Sequence, residues 1–508
     1  MYHVSVDQNY PRSLIQFLVE FNDIALDHQI QAATRGKFQS LPESWIAWAS
    51  EADDRWKDIM AVYVSDDDQV YNDMPADLHR FIRDSASITL PRSPFFVPED
   101  QAPARVHGVS PKKIHEVWTM ASYITALLST RSVKPIIVDI GAGQGYLSRA
   151  LSSSPGSFHV LALDSNDSQT AGSIARKDWI SMPETVDNVE SSNGSGSLTQ
   201  KTVFIGDATS LKTAIEEWIR DDLQQQSQQP IPVVLVGLHC CGDLTPAILR
   251  FVEQSLPQND VFELVGCVIV GCCYNMCNTT SFPLSRSVSI DLSHLGPLSL
   301  DTQHLHLAAQ TPLTWDLATP EGVLTSSSAA LAIRKVTYRS LLARRLPALY
   351  RPEGDLPMCS DVDWRQKRVG RLRDSAYRDF PTYLQAAREK LGLKDNPMAP
   401  PGSPEEVKPE YDLSSDLNTG EVFLSRTLEV LYVLRCLLGP PVESLIAVDR
   451  YLFLQEAIYN IVNGTDTDAT PTNQSSSESD RANGGVKLVN LFDQSTGSLR
   501  NLALVWER

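Results

Sequence analysis

Ile136-Ile137-Val138-Asp139-Ile140-Gly141-Ala142-Gly143-Gln144-Gly145-Tyr146 decides how this chain is read. An apolar, β-branched run ends beside an acid, and glycine then recurs at every second position. The run has the character of a buried first strand and the glycines that of the turn after it. Without Cβ atoms, such a turn lets the backbone pass close to a ligand. A dinucleotide fingerprint, Gly-x-Gly-x-x-Gly, requires glycine where Tyr146 stands, so a nicotinamide oxidoreductase is disfavoured. The pattern is instead Asp-x-Gly-x-Gly-x-Gly, and the acid ahead of it suits a ligand with a cationic amino-acid end.

Working outward from the turn, short apolar runs at 136–140, 158–163, 202–206, 232–238 and 261–271 alternate with helical stretches. That alternation predicts βαβ units and a parallel sheet. Two further strand-like runs, 487–492 and 499–506, predict an antiparallel hairpin that completes it. The fold expected is α/β, a Rossmann-like core of seven strands (106–316 plus a C-terminal hairpin at 486–508). An N-terminal helical region at 1–105 precedes it, and a helical insertion at 317–462 comes before the last strands. Leu14, Phe17, Leu18 and Phe21, and likewise Trp45, Trp48 and Ala49, carry helical spacing. Pro91, Pro94, Pro98 and Pro103 form a linker, and Ser110-Pro111 opens a helix running to Leu128 with Ser110 as N-cap. The polar segments 187–200, 224–230, 394–418 and 463–485 have the composition of loose chain.

The chain has 508 residues, 42% of them hydrophobic, and a formal net charge of −18, which argues against a surface basic throughout. Met1 to Glu20 lack the features of a signal peptide, and no run of eighteen apolar residues predicts a membrane span. With eight cysteines and no secretion signal, reduced thiols in cytoplasm or nucleus are expected. Against the global charge, eleven cations (Arg334, Lys335, Arg339, Arg344, Arg345, Arg351, Arg365, Lys367, Arg368, Arg371, Arg373) face four anions (Glu353, Asp355, Asp361, Asp363). That local +7 is either a phosphate-binding footprint, which would make RNA a partner, or a solvated face.

Ligands of open parallel sheets sit beyond the carboxyl ends of the strands, so the polar residues there are the candidates. Asp139, Gly141, Gly143 and Gly145 follow the first strand, Asp164 the second, and Asp207 and Ala208 the third. Three acids in that order suit the amino-acid, ribose and adenine parts of one nucleoside cofactor, although each alone is also an ordinary helix cap. The fourth strand ends in His239-Cys240-Cys241-Gly242-Asp243. His239 and Asp243 are the catalytic candidates, since imidazole titrates near neutrality; otherwise they are a packed polar residue and a cap. Lys112 and Lys113, followed by His115 and Glu116, start a helix that either faces the cleft or is simply capped. They stand with Cys272 and Tyr274 as candidates on the substrate side. Cys240, Cys241, Cys267, Cys272, Cys273 and Cys277 cluster near strand ends, but adjacent cysteines in a strand point apart and no Cys-x-x-Cys pair exists, so no metal is expected.

The glycine turn resembles the first motif of S-adenosylmethionine-dependent methyltransferases. A longer ordered set is similar to the methyltransferase-like protein 25 family, which includes ribosomal RNA adenine dimethylase domain-containing relatives. It comprises Pro111-Lys112-Lys113 with His115-Glu116-Val117, the turn with Leu147-Ser148, and Gly237-Leu238-His239 with Cys241-Gly242-Asp243-Leu244. Gly271-Cys272-Cys273-Tyr274, Phe282-Pro283-Leu284-Ser285, Asp449-Arg450, Leu491-Phe492-Asp493, and Ser498 with Arg500, Asn501 and Leu502 complete it. The resemblance implies a class I methyltransferase core and S-adenosylmethionine as cofactor, with RNA or protein as substrate. A non-catalytic module that keeps the fold is the alternative. The Asn/Asp-Pro-Pro-aromatic tetrapeptide of many enzymes that methylate exocyclic amines is absent after the fourth strand.

Overall fold

The computed structural model describes residues 3–26, 30, 32–33, 41–64, 73–94, 109–153, 155–175, 196–223, 229–256, 259–296, 298–310, 327–349, 369–392, 417–463, 485–494 and 498–508. Most of 187–200, 224–230 and 394–418, and all but the ends of 463–485, lie outside these residues.

Seven strands form one sheet: β1 Ile136–Ile140, β2 His159–Asp164, β3 Ser197–Thr202, β4 Ile231–Cys241, β5 Phe262–Cys272, β6 Val486–Asn490 and β7 Leu502–Glu507. Their order is β3-β2-β1-β4-β5-β7-β6. The first five are parallel, and β7 runs antiparallel between β5 and β6. The strand order therefore reverses between β1 and β4, where such sheets bind ligands. The expected α/β architecture and closing hairpin are those observed.

Both faces of the sheet are covered, which is why β1, β4 and β5 read as almost unbroken apolar runs. Side chains alternate between the two layers as the strand period requires. Ile136, Val138 and Ile140 pack with Trp218, Leu249 and Phe251, whereas Ile137 packs with Tyr123, Ile124 and Leu151 on the other side. Each such fully buried aliphatic side chain stabilises the fold by about 1.5–3 kcal/mol.

The third strand falls earlier than expected. It is Ser197–Thr202, its first four residues in the segment 187–200 expected to be loose, while 203–206 leave the sheet and Phe204 is exposed. Strand β3 lies at the sheet edge, paired with β2 from His159↔Ser197 to Asp164↔Thr202. An edge strand with partly buried faces is held by backbone hydrogen bonds and needs no apolar run, so Ser-Leu-Thr-Gln-Lys-Thr suffices.

The chain divides into two units, and their boundaries differ from those expected. The sheet unit comprises Met1–Glu20, Thr89–Ala309 and Pro440–Arg508; the second comprises Phe21–Ile88 and Gln310–Gly439. The first twenty residues thus join the sheet, because Val4 bridges Leu488 on β6 and is buried there. Residues 440–462, expected in the insertion, also belong to the sheet unit. The second unit is helical. Its core includes Trp45, Trp48 and Phe81, a buried Arg345–Glu421 ion pair (Nε to Oε1 2.8 Å), and Arg435 donating to the carbonyls of Ile24 and Ala25. The run Thr419–Ile461 is long and apolar enough to cross a membrane by length and composition, contrary to expectation; 94% of its most apolar stretch is buried inside the protein.

Within the sheet unit, Asp449 is a buried clamp. Its carboxylate accepts from the backbone N–H groups of Leu284 (2.8 Å) and Ser285 (2.9 Å) and from the Ser285 hydroxyl (2.8 Å). Glu456, two turns further along the helix, accepts from the N–H groups of Arg286 and Ser287. These bonds explain why Phe282-Pro283-Leu284-Ser285 and Asp449 occur together. Burial pushes the Asp449 carboxyl up to about 6 despite those bonds. Replacing Asp449 with Ala strands two backbone donors in the interior, and we expect a loss of about 2–4 kcal/mol, read as a lowered urea midpoint. Asp449→Asn, which keeps an acceptor, is expected to lose less.

Candidate active site

Three glycines shape the turn after β1. Gly141, Gly143 and Gly145 have φ of +73°, +55° and +69°, a region closed to most side chains. The N–H groups of Gly141 and Ala142 both reach the carbonyl of Leu163 on β2, which ties the turn to its neighbour. A Cβ at Gly145 would lie 2.4 Å from the Ser173 hydroxyl, whereas one at Gly143 would meet nothing within 4 Å among the described residues. The space over Gly143 is therefore open. At Gly141 the turn borders the next strand, since a Cβ there would sit 4.0 Å from the His239 carbonyl oxygen.

The three acids part company. Asp164 stands at the end of β2, its Oδ2 accepting from Gly143 N–H (2.8 Å) and its Oδ1 from Asn166 N–H (2.9 Å). An ionised carboxylate has acceptor capacity beyond two such bonds. Asp207 is exposed and caps the helix Ala208–Asp221 through Ser210 N–H (2.8 Å), bonds that hold its carboxyl below the ordinary range; Ala208 begins that helix, partly buried. Asp139, expected to grip the cationic end of a ligand, is 1% exposed and takes the Ser148 hydroxyl on Oδ2. It alternates with Val138 and Ile140 and so faces the layer that holds the helix Tyr146–Ser152. Burial pushes it up to about 6, with the Ser148 bond opposing and Asp164 adding to the shift. Asp139 thus fastens the helix behind the turn.

A second group gathers at the end of β4. His239, with 30% of its side chain exposed, places Nε2 at 2.9 Å from Oε2 of Glu116. Glu116 is on the helix Pro111–Leu128, which Ser110 caps by accepting from Lys113 N–H, as its sequence predicts. Burial alone would raise the Glu116 carboxyl, but the His239 bond and charge, then Lys113 and Lys112, together hold it low. Lys113 Nζ lies 3.3 Å from Oε2 and Lys112 Nζ 3.9 Å from Oε1. Oε1 is buried without a hydrogen-bond partner among the described residues. An ionised Glu116 accepts from Nε2–H, which leaves the lone pair of the imidazole on Nδ1. The sequence placed a glutamate here but gave no sign that its partner lies 123 residues away.

The other candidates are each engaged by neighbouring groups in this arrangement. Asp243 spends Oδ1 on Asn278 N–H (2.9 Å) and the Ser281 hydroxyl (2.7 Å), pinning the loop after β5. Tyr274 is buried, with the guanidinium groups of Arg450 and Arg500 over its ring at 5.3 and 5.8 Å. Cys272 is also buried, its sulfur 3.3 Å from that of Cys241. Hydrogen bonding to Cys272 holds the Cys241 thiol down at about 6 and pushes Cys272 up.

The basic segment is only partly within the described residues, since 350–368 fall outside them. Of the rest, Arg334 donates to the Tyr377 carbonyl, Lys335 pairs with Asp374 (2.7 Å), Arg339 reaches the Tyr377 hydroxyl (3.2 Å) and Arg345 holds Glu421. These cations serve their own helical unit.

Residues 112–280 match the family model described as a methyltransferase domain. The chain is 26% identical over 234 residues to "Probable methyltransferase-like protein 25" of Homo sapiens, and 25% identical over 241 residues to the Mus musculus protein of the same name. Each match covers 44% of this chain and 32% of the relative, so it spans about a third of the length of those curated proteins. No solved structure matches the chain. A sheet of this order, with its domain match beginning on the helix that carries Glu116, marks a methyltransferase domain with a core of the class I type, similar to part of the methyltransferase-like protein 25 relatives.

Proposed function

We propose that the protein is a methyltransferase that uses S-adenosylmethionine. The observation that carries this reading is the open space over Gly143 at the β1/β4 switch point, flanked by Asp164. The residues present fit the cofactor. Gly143 presents no side chain, Asp164 offers acceptors for ribose hydroxyls, and Asp207 with Ala208 stands at the end of the neighbouring connection. When bound, the cofactor supplies an electrophilic methyl group. The chain's part is to hold the donor and the acceptor in line and to exclude competing geometry. His239, oriented by Glu116, is placed to take the proton that an acceptor nitrogen, oxygen or sulfur releases, and Lys112 and Lys113 keep Glu116 ionised for that task. Asp139 and Asp243 support the site through the helix and loop they fasten.

RNA, the acceptor expected from charge, is supported by the +7 of the 334–373 segment. A protein side chain is the second reading, favoured by the internal pairing of Arg334, Lys335, Arg339 and Arg345.

Titration calorimetry tests the cofactor. We expect binding by the wild type and a loss of about tenfold or more in affinity for Asp164→Ala, equal to about 1.4 kcal/mol or more. No binding by the wild type would sink the reading. Incubation with radiolabelled cofactor and cell extract tests transfer, with label in RNA or in protein separating the two acceptors. Intact cofactor binding with label in neither would favour a non-catalytic module. For His239→Ala we expect transfer to fall by roughly a hundredfold with cofactor affinity retained, the scale of a lost general base.

Glu116 makes a separate pH prediction. Its folded value is depressed, so its contribution to stability is present above the unfolded value near ~4.3 and is lost as pH falls through the folded one. Glu116→Gln is therefore expected to destabilise the protein at neutral pH and to match the wild type at strongly acidic pH. An equal difference at both ends of a denaturation series would refute this.

A further inference from the structure

We propose that Cys241, Cys272 and Cys273 form a zinc site with three thiolate ligands and an open fourth position. The proposal is independent of the methyl-transfer reading. The three sulfurs lie within 4.8 Å of one another, and Cys241 sits 3.3 Å from Cys272 and 3.4 Å from Cys273.

Distances decide between a metal and a disulfide. Zinc–thiolate bonds of about 2.3 Å at tetrahedral angles place sulfurs about 3.8 Å apart. A disulfide needs about 2.05 Å. From 3.3–3.4 Å, the thiols need to spread by roughly half an ångström for zinc but close by more than an ångström for a disulfide.

The convergence is built by the backbone. Cys241 and Cys272 are direct partners in the parallel register of β4 and β5, so their side chains share a face. Their neighbour Cys240 turns the other way, its sulfur against the Ile140 carbonyl, as strand alternation demands. By the same rule Cys273 should point away from Cys272. It does not, because the chain turns left-handed there, with φ of +51° on a residue that carries a Cβ. Such a conformation costs free energy and marks functional positions when the surrounding structure enforces it. Enforcement is visible here. Gly242 N–H bonds the Cys272 carbonyl, Met276 N–H bonds the Cys273 carbonyl, and Asp243 holds Asn278 and Ser281 further along the loop. Both arms of the site are thus fixed by bonds that do not involve the thiols.

The chemistry selects the ion. Three thiolates form a soft donor set, suited to zinc or cuprous copper rather than to calcium or magnesium. Three protein ligands with an open position is the arrangement of catalytic rather than structural zinc. Cys241 and Cys273 are only partly buried, which leaves a side from which a water or a soft ligand can complete the coordination. Three thiolates with one Zn2+ leave a net charge of −1. Lys113 on the Cys241 side, and Arg500 on the Cys273 side, offset it. Cys277 stays apart, its sulfur taken by Arg450 at 3.7 Å.

The test uses the full chain, purified under reducing conditions without chelator after growth with zinc, and measures metal by plasma mass spectrometry. About one zinc per chain is expected. Replacement by Co2+ should give thiolate-to-cobalt charge-transfer absorption. Cys241→Ser and Cys273→Ser should each weaken zinc by roughly tenfold or more in competition with a chromophoric chelator, whereas Cys436→Ser in the helical unit should not. Circular dichroism checks that each variant folds, and Cys273→Ser serves if Cys241→Ser does not. Three results would each overturn the proposal: metal-free reduced protein with no cobalt charge transfer, zinc retained equally by the cysteine variants, or isolation of a Cys241–Cys272 disulfide under the same reducing conditions.

Discussion

Everything at the candidate site follows from the parallel pairing of β1 with β4. Because the two strands lie side by side and point the same way, their carboxyl ends arrive at one edge of the sheet. The chain leaves β1 toward β2 and leaves β4 toward β5, so the two connections diverge and open a crevice. The glycine turn fills one wall of that crevice and His239 the other. Left-handed glycines are required because the turn must double back to the Leu163 carbonyl while still passing His239 closely. A side chain at Gly141 would press on Leu244, and one at Gly145 on Ser173. The narrowness of the turn and the openness over Gly143 are two results of one backbone path.

Much of the fold was legible in the sequence because buried parallel strands leave a strong mark. Ile136–Ile140 and Phe262–Cys272 are apolar on both faces, and helices with regular spacing separate them. The helix at Pro111 was legible because Ser110 and Pro111 satisfy its first turn in a way few other residues do. Strand β3 was displaced in the reading because an edge strand is held by its backbone, and Val203-Phe204-Ile205 mimicked a core strand while lying outside the sheet. The unit boundaries were hidden because contacts between segments hundreds of residues apart, such as Val4 with Leu488, have no local signature.

At the site, the sequence identified residues better than directions. Asp139 and Asp243 occupy the expected positions along their elements, yet each points to a neighbour that only the folded chain supplies, Ser148 in one case and the 278–281 loop in the other. The same gap concealed the pairing of Glu116 with His239. The cysteines show it most sharply. The rule that adjacent strand residues diverge holds for Cys240 and Cys241 and fails for Cys272 and Cys273, because the second pair spans the end of the strand and a left-handed residue reverses the chain.

The sheet unit is assembled from three separate stretches of chain, and that has a consequence for biosynthesis. Strand β5 is complete by residue 272, but its second neighbour, β7, ends at residue 507. During vectorial synthesis, an apolar strand rich in Val, Leu and Ile waits with one side unpaired while more than two hundred further residues emerge. Such an edge is the kind that recruits other chains. The last of the seven sheet strands in chain order is therefore the one that covers the open side of β5, and the interval before it arrives is when a nascent chain most needs a chaperone at its side.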